Sequence, residues 1–264
     1  MSFMKKILSS VGIGSAKVDT ILHGEDFIPG EPIDMTVKIV GGNADQKIDG
    51  LYFSLHTNYK QSFACEYDDG EVEEEEVENV ATLAQFKVSE PFILSAGETK
   101  EIPLSFDLPW HTPLTIGNSE VWINTGLDIK RGKDASDKDF IDVKPGDLAN
   151  SLFVALEDLG FEPRDVECEA IPETSNFPLP FVQEFEWVPV SGPFHGKLDE
   201  LEIVCIPEDD CLDVWMEIDR KARNMGSFVQ EMLGQNESHI YFTVCEEELS
   251  NLPDQLHELI DNHL

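Results

Sequence analysis

The sequence predicts an all-β protein made of two antiparallel β-sandwich domains, with a linker helix between them and a second helix at the C-terminus. Apolar and polar residues alternate in several stretches, which is typical of strands with one buried and one solvated face. With 264 residues, the chain is long enough for two sandwiches of roughly 120 residues each. A doubly wound α/β fold is disfavoured because no long helices separate the strand-like stretches.

The first sandwich is predicted over residues 1–130. Its clearest strand alternates Ile33, Met35, Val37 and Ile39 with polar side chains, and residues 101–108 and 121–129 have the same period. Pro29-Gly30 directly before the first of these strands predicts a type II turn, because proline fixes φ and glycine tolerates a positive φ. Residues 131–146 are predicted to form a linker, because the stretch 130–138 is polar and loop-like.

The second sandwich is predicted over residues 147–245, beginning with a helix at 147–159. Asp147 is its expected N-cap and Gly160 its expected stop. Strands follow around residues 200–205 and 212–218, and their alternation places Glu200, Glu202 and Glu217 on the solvated face.

Residues 246–264 are predicted to form an amphipathic helix with an apolar stripe that includes Leu252, Leu256 and Leu259. Docking of this stripe on the second sandwich is the favoured interpretation. A partner protein or a second copy of the chain is the alternative, which leaves a homodimer open.

The net charge of −35, from 53 acidic and 18 basic residues, restricts the choice of partners. Such a surface repels nucleic-acid phosphates and anionic lipid headgroups. No stretch approaches the roughly 18 apolar residues of a membrane span, and the N-terminal apolar run is too short for a signal peptide. We therefore expect no nucleic-acid partner, no stable membrane insertion and a cytoplasmic location.

The five cysteines are odd in number and show no C-x-x-C spacing. This pattern argues against a disulfide framework and against a zinc site, and it indicates a reducing compartment.

Two charged clusters are candidates for contacts with a partner or between domains. Residues 68–78 hold eight carboxylates, including Glu73, Glu74, Glu75 and Glu76. We expect Asp69-Gly70 to form a hairpin turn and these acids to line an exposed edge strand, where charge opposes aggregation. The alternative is an acidic docking edge for a basic partner. The basic cluster Arg220, Lys221 and Arg223 is either a solvated strand end or a latch that pairs with acids elsewhere in the chain.

Enzyme motifs are missing from the sequence. It contains no H-E-x-x-H, no G-x-S-x-G and no P-loop, and a calcium loop is disfavoured because the D-x-D-x-D-G spacing is missing. We therefore predict a non-enzymatic protein without a cofactor.

The order of several motifs resembles the N-terminal half of arrestin-like domains, and the wider pattern is similar to the bacterial SpoOM family of sporulation-control proteins. The segments that carry the resemblance are Met1-Ser2-Phe3-Met4-Lys5-Lys6, Phe27-Ile28-Pro29-Gly30-Glu31, Ile48-Asp49-Gly50-Leu51 and Phe92-Ile93-Leu94-Ser95-Ala96-Gly97-Glu98.

The resemblance implies two arrestin-like sandwiches without catalytic activity. It also implies a regulator of sporulation and cell-division physiology that contacts other proteins, such as cell-division or cytoskeletal ones. The alternative is a sandwich accessory domain that binds a small molecule or a metal.

Overall fold

A computed structural model describes residues 15–66, 72–130, 134–172, 175, 177–208, 210–219 and 239–264. These residues form fourteen strands, one helix between two β-rich regions and one helix at the C-terminus. The predicted all-β class is confirmed. By contacts, the chain divides into two units. The first contains the described residues up to Thr57, Val80–Thr115 and Glu120–Lys144, and the second contains Asn58–Asn79, Ile116–Ser119 and the residues from Pro145 onward.

The first unit is built from two sheets. Its strands are β1 Lys17–Leu22, β2 Asp26–Phe27, β3 Pro32–Val40, β4 Gln46–Glu66, β5 Val72–Lys87, β6 Phe92–Leu94, β7 Thr99–Asp107, β8 Val121–Ile129 and β9 Ala135–Val143, of which β4 and β5 continue into the second unit. One sheet has the order β1-β3-β7. In the other, β4 pairs with β5, β6 and β8, while β9 pairs with β8 and β2.

Alternate side chains of the two sheets form the core of the first unit. Val37 and Ile39 of β3 are fully buried and share one hydrophobic cluster with Leu51 of β4 and Leu127 of β8. The predicted turn before β3 is confirmed, since the Glu31 N–H donates to the carbonyl of Ile28 over 3.1 Å and Gly30 has φ 85°. The φ of Gly30 matches the third position of a type II turn.

The predicted linker at 131–146 is wrong for most of its length, because Ala135–Val143 forms β9. This strand pairs antiparallel with β8, from Val121 opposite Ile141 to Leu127 opposite Ala135. The strand was not predicted because its mostly polar residues show no alternation of apolar and polar side chains. The backbone hydrogen bonds that pair it with β8 do not require apolar side chains. Buried Ile141 and Val143 anchor its end.

The second unit contains an antiparallel meander in the order β10-β11-β12-β13-β14. Its elements are α1 Asp147–Asp158, β10 Phe161–Ala170, β11 Phe181–Pro189, β12 Glu200–Glu208, β13 Cys211–Asp219, β14 His239–Cys245, a 3₁₀ helix Glu246–Asn251 and α2 Leu252–His263. Helix α1 covers one face of the meander, where the Phe153 ring lies 5.0 Å from that of Phe185 and 5.5 Å from that of Trp187.

The limits of α1 agree with the predicted helix at 147–159 within one residue, with one change at its start. Gly146 is the N-cap and Asp147 is the first helical residue. At that position the negative charge of Asp147 interacts favourably with the positive end of the helix dipole. Gly160 follows the helix with φ 90°. A Cβ at this position would lie 2.4 Å from the carbonyl oxygen of Ser191, so only glycine fits this stop.

The expectation of no disulfide is wrong, because Cys211 and Cys245 are bonded. They are 34 residues apart in sequence, so no local spacing marks them. They meet because β13 and β14 pair antiparallel, with Cys211 directly opposite Cys245.

Candidate functional site

The acidic strand β5 presents its carboxylates at the surface. Glu75, Glu76 and Glu78 are exposed, and so is the apolar Val77 between them. Glu73 and Glu74 lie in the same strand, for which side chains are described from Glu75 onward. The placement in a strand agrees with the predicted acidic edge, whereas the expected turn at Asp69-Gly70 lies outside the described residues.

Lys60 of β4 links this acidic strand to a buried carboxylate. Its ammonium lies 3.5 Å from Glu76 Oε2 and donates a hydrogen bond to Glu167 of β10. Asn118 Nδ2 donates to the same Glu167 oxygen over 3.2 Å. Partial burial of Lys60 opposes its charge, but the two carboxylates outweigh that effect and raise its pKa. Lys60 is therefore a cationic centre between surface and interior acids.

Glu184 of β11 lies directly opposite Glu167 and is completely buried. Neither of its carboxylate oxygens has a hydrogen-bond partner. Burial, followed by the charges of Glu202, Glu169, Glu217 and Glu167, raises the pKa of Glu184 to about 10. The side chain is therefore protonated at neutral pH, because an unpaired buried carboxylate is costly.

Glu169 of β10 shows the same effect in weaker form. Burial and then the charge of Glu167 raise its pKa to about 7, although the Lys60 ammonium opposes the rise. Protonation of carboxylates and the Lys60 ammonium therefore both reduce the negative charge of this part of the sheet.

Arg164 provides a second cationic centre on the same sheet. It forms ion pairs with Glu186 of β11 and with Glu200 of β12. Glu200 is fully buried, and Glu202 and Glu217 are 3% and 7% exposed. The expectation that Glu200, Glu202 and Glu217 face solvent is therefore wrong. Alternation shows which residues share a face of a sheet but not whether that face is covered.

The other predicted contact residues fall in two places. Leu252 and Leu256 of α2 are buried together with Ile260, and Leu259 is half-buried. The helix contacts the body of the second unit, for example where His257 lies 5.1 Å from the Phe194 ring. Arg220, Lys221 and Arg223 lie outside the described residues.

Around these buried carboxylates, the described side chains offer charge but no reactive nucleophile. Burial raises the pKa of the Cys168 thiol to about 12, so it stays protonated and unreactive at neutral pH. Within the described ranges, no three His, Cys, Asp or Glu side chains are placed to hold a metal ion. The same ranges contain no helix that is long and apolar enough to span a bilayer.

The sequence carried a partial signal for the buried acids. Glu184 and Glu186 alternate with Phe185 and Trp187, which predicts a strand with acids on one face. Only the strand register shows that Glu167 lies opposite Glu184, so the cluster itself could not be found from local patterns.

Comparison with known proteins gives consistent matches. The family model described as SpoOM protein matches residues 4–222. The sporulation-control protein spo0M of Bacillus subtilis strain 168 is 38% identical over 266 residues, covering 100% of this chain and 99% of the relative. The crystal structure of Spo0M from Bacillus subtilis superposes with a TM-score of 0.84 at 37% identity, covering 96% of this chain and 100% of that one. The chain therefore belongs to the SpoOM protein family.

Proposed function

We propose that this protein regulates sporulation. The observation that carries the proposal is the full-length match to a sporulation-control protein, with 38% identity over nearly all of both chains. A TM-score of 0.84 to the structure of such a protein supports the same conclusion at the level of the fold. Because both chains are covered almost completely, the proposal concerns this chain over its full given length.

We further propose that it acts in the cytoplasm, without catalysis, through contacts with other proteins. The chemistry of the second unit supports this view, because most of its described buried polar side chains are glutamates. Among them Glu167 pairs with Lys60, Glu186 pairs with Arg164 and Glu184 is protonated. Cell-division or cytoskeletal proteins are the partners that the family resemblance implies.

The surface proposed for such contacts is the segment Glu73–Glu76 of β5. Glu75 and Glu76 are exposed next to the exposed apolar Val77. Lys60 lies close to Glu76 and is itself bound to Glu167, so the strand is attached to the interior of the second unit. An anchored row of carboxylates favours a basic, extended partner segment and speeds its association.

The function is tested in a spore-forming host in which the gene for this protein is deleted. We expect a change in the frequency of heat-resistant spores that the wild-type gene reverses. An unchanged spore frequency, with normal expression of the restored protein confirmed by immunoblot, would contradict a role in sporulation.

The surface is tested by changing Glu73, Glu74, Glu75 and Glu76 to Gln. A matched control replaces four exposed acids of the first unit by their amides, namely Glu25, Glu31, Asp34 and Glu101. We expect the wild type and the control to capture proteins from sporulating cells that the β5 variant does not capture. We also expect the wild type to bind these proteins more weakly at high salt, because salt screens the carboxylates. Equal losses with both variants would show that net charge, and not this strand, governs the contact.

A further inference from the structure

Two cysteines face each other where the chain leaves the last strand of the second unit. Cys211 is the first residue of β13 and Cys245 is the last residue of β14. They are direct register partners with a Cα–Cα distance of 4.4 Å. This distance is typical of a non-hydrogen-bonded antiparallel pair and lies within the range that a disulfide requires.

The bond lies at the point where the C-terminal segment joins the sheet. In the described part of the chain, β14 pairs with β13 alone, from Cys211–Cys245 to Glu217–His239. The 3₁₀ helix begins immediately after Cys245, and α2 follows at Leu252. The segment 239–264 is therefore attached through one strand ladder, the buried side chains of α2 and this covalent bond.

Cys168 and Cys205, whose side chains are also described, differ from this pair in their surroundings. Burial raises the pKa of both the Cys168 and the Cys205 thiols to about 12, which makes them poor partners for exchange. Cys211 and Cys245 are only half-buried, and their neighbours Asp210 and Glu246 are exposed. A small thiol or disulfide can therefore approach this pair more easily than it can approach Cys168, which is 4% exposed. Cys205 is half-buried as well, but its raised pKa keeps its thiol protonated at neutral pH.

We propose that Cys211 and Cys245 form a thiol–disulfide switch that controls how firmly the segment 239–264 is attached to the second unit. In the oxidising direction, the two thiols react with a low-molecular-weight disulfide such as oxidised glutathione. One S–S bond forms between Cys211 and Cys245, the S–S bond of the small molecule breaks, and its two sulfurs leave as thiols with the two protons. Two electrons pass from the cysteines to the small molecule, and an excess of reduced glutathione reverses the reaction.

Reduction is expected to loosen this segment selectively. The bond closes a loop of more than thirty residues and restricts the conformations of that loop mainly when the segment is unfolded. Reduction of the bond therefore raises the entropy of the locally unfolded state and makes it more populated. Local opening of β14 and α2 then becomes more frequent, whereas β10 and β11 keep their ladders on both sides. We expect amide hydrogen exchange in 239–264 to accelerate by about ten-fold or more on reduction.

The experiment equilibrates the full-length protein with glutathione buffers of different reduced-to-oxidised ratios. Alkylation and mass spectrometry measure the oxidised fraction of the pair, and hydrogen exchange is measured at the two extremes. We expect the pair to change state within the range of ratios, with faster exchange of 239–264 in the reduced protein. A pair that stays fully reduced or fully oxidised at every ratio overturns the proposal, and so does equal exchange in both states.

Two variants separate this effect from a general influence of thiols. Cys211→Ser with Cys245→Ser is expected to exchange like the reduced wild type in every buffer. Cys205→Ser removes a half-buried thiol of the neighbouring strand β12 and is expected to keep the full redox response. If the Cys205→Ser protein loses the response, the switch does not consist of the Cys211–Cys245 pair. If the double variant folds too poorly to be measured, the comparison of hydrogen exchange between the reduced and the oxidised wild-type protein still tests the proposal.

Discussion

Replacing Glu184 by Gln should stabilise the protein at neutral pH. The side chain is completely buried, and neither carboxylate oxygen has a hydrogen-bond partner. Burial and then the neighbouring glutamates raise its pKa from 4.5 to about 10. The folded protein therefore keeps a proton that the unfolded chain releases above pH 4.5. Since the folded state binds more protons, stability falls as pH rises from about 4.5 toward 10.

The magnitude follows from the same linkage. One group contributes about 1.4 kcal/mol per pH unit between its unfolded and folded pKa values. From pH 4.5 to pH 7 the loss for Glu184 is thus on the order of 3 kcal/mol. Gln has nearly the same shape as Glu and does not titrate. The Glu184→Gln protein therefore lacks this pH-dependent loss of stability. The unpaired amide still has a desolvation cost, which makes this figure an upper bound for the gain.

The assay is urea unfolding of both proteins between pH 5 and pH 8. We expect similar unfolding free energies near pH 5 and an advantage for Glu184→Gln that grows with pH. Glu162→Gln, at an exposed position of β10, is the matched control and should follow the wild type. Parallel curves for the wild type and Glu184→Gln would show that Glu184 does not hold a proton in the folded state.

Two further changes probe the second unit. Lys60→Met leaves Glu167 buried without its ammonium partner and should lower the unfolding free energy by about 2–3 kcal/mol at pH 7. The matched Lys197→Met, at a half-exposed side chain, should cost less than about 1 kcal/mol; equal urea midpoints would contradict the role of Lys60. Gly160→Ala combines a positive φ with a carbonyl 2.4 Å from the new Cβ and should lower the melting temperature more than Gly196→Ala, where φ is 76° but the space is open. Calorimetry that gives equal losses would show that the strain is in φ alone.

Local patterns predicted those parts of the fold that depend on near neighbours in sequence. Alternation located β3 and β7 because each strand has a clearly apolar face against the core. Pro29-Gly30 specified its turn through backbone geometry, and Gly160 ended α1 for the same reason. Strand β9 was missed because six of its nine residues are polar or small, and its pairing with β8 depends on the backbone.

The parts that sequence could not predict depend on strand register. Cys211 and Cys245 are distant in sequence and meet only through the pairing of β13 with β14. Glu167 and Glu184 likewise come together only across β10 and β11. The exposed acids of β5 were predictable because a run of carboxylates is far more favourable in water than in a core. A single Glu in an alternating strand carries no such information, since it can be solvated, paired or protonated.

The buried acids also give a physical reason why β11 pairs in only one register. On this strand Glu184 and Glu186 face the cations and acids of the sheet, while Phe185 and Trp187 face Phe153 of α1. A slip by one residue would turn both carboxylates toward Phe153 and would leave Arg164 without Glu186. That alternative buries the Glu186 carboxylate away from its Arg164 partner, which costs several kcal/mol. The buried acids lower the stability of the native state at neutral pH, but they lower the stability of the state shifted by one residue even more. They therefore still favour the native register of β11 over the shifted one.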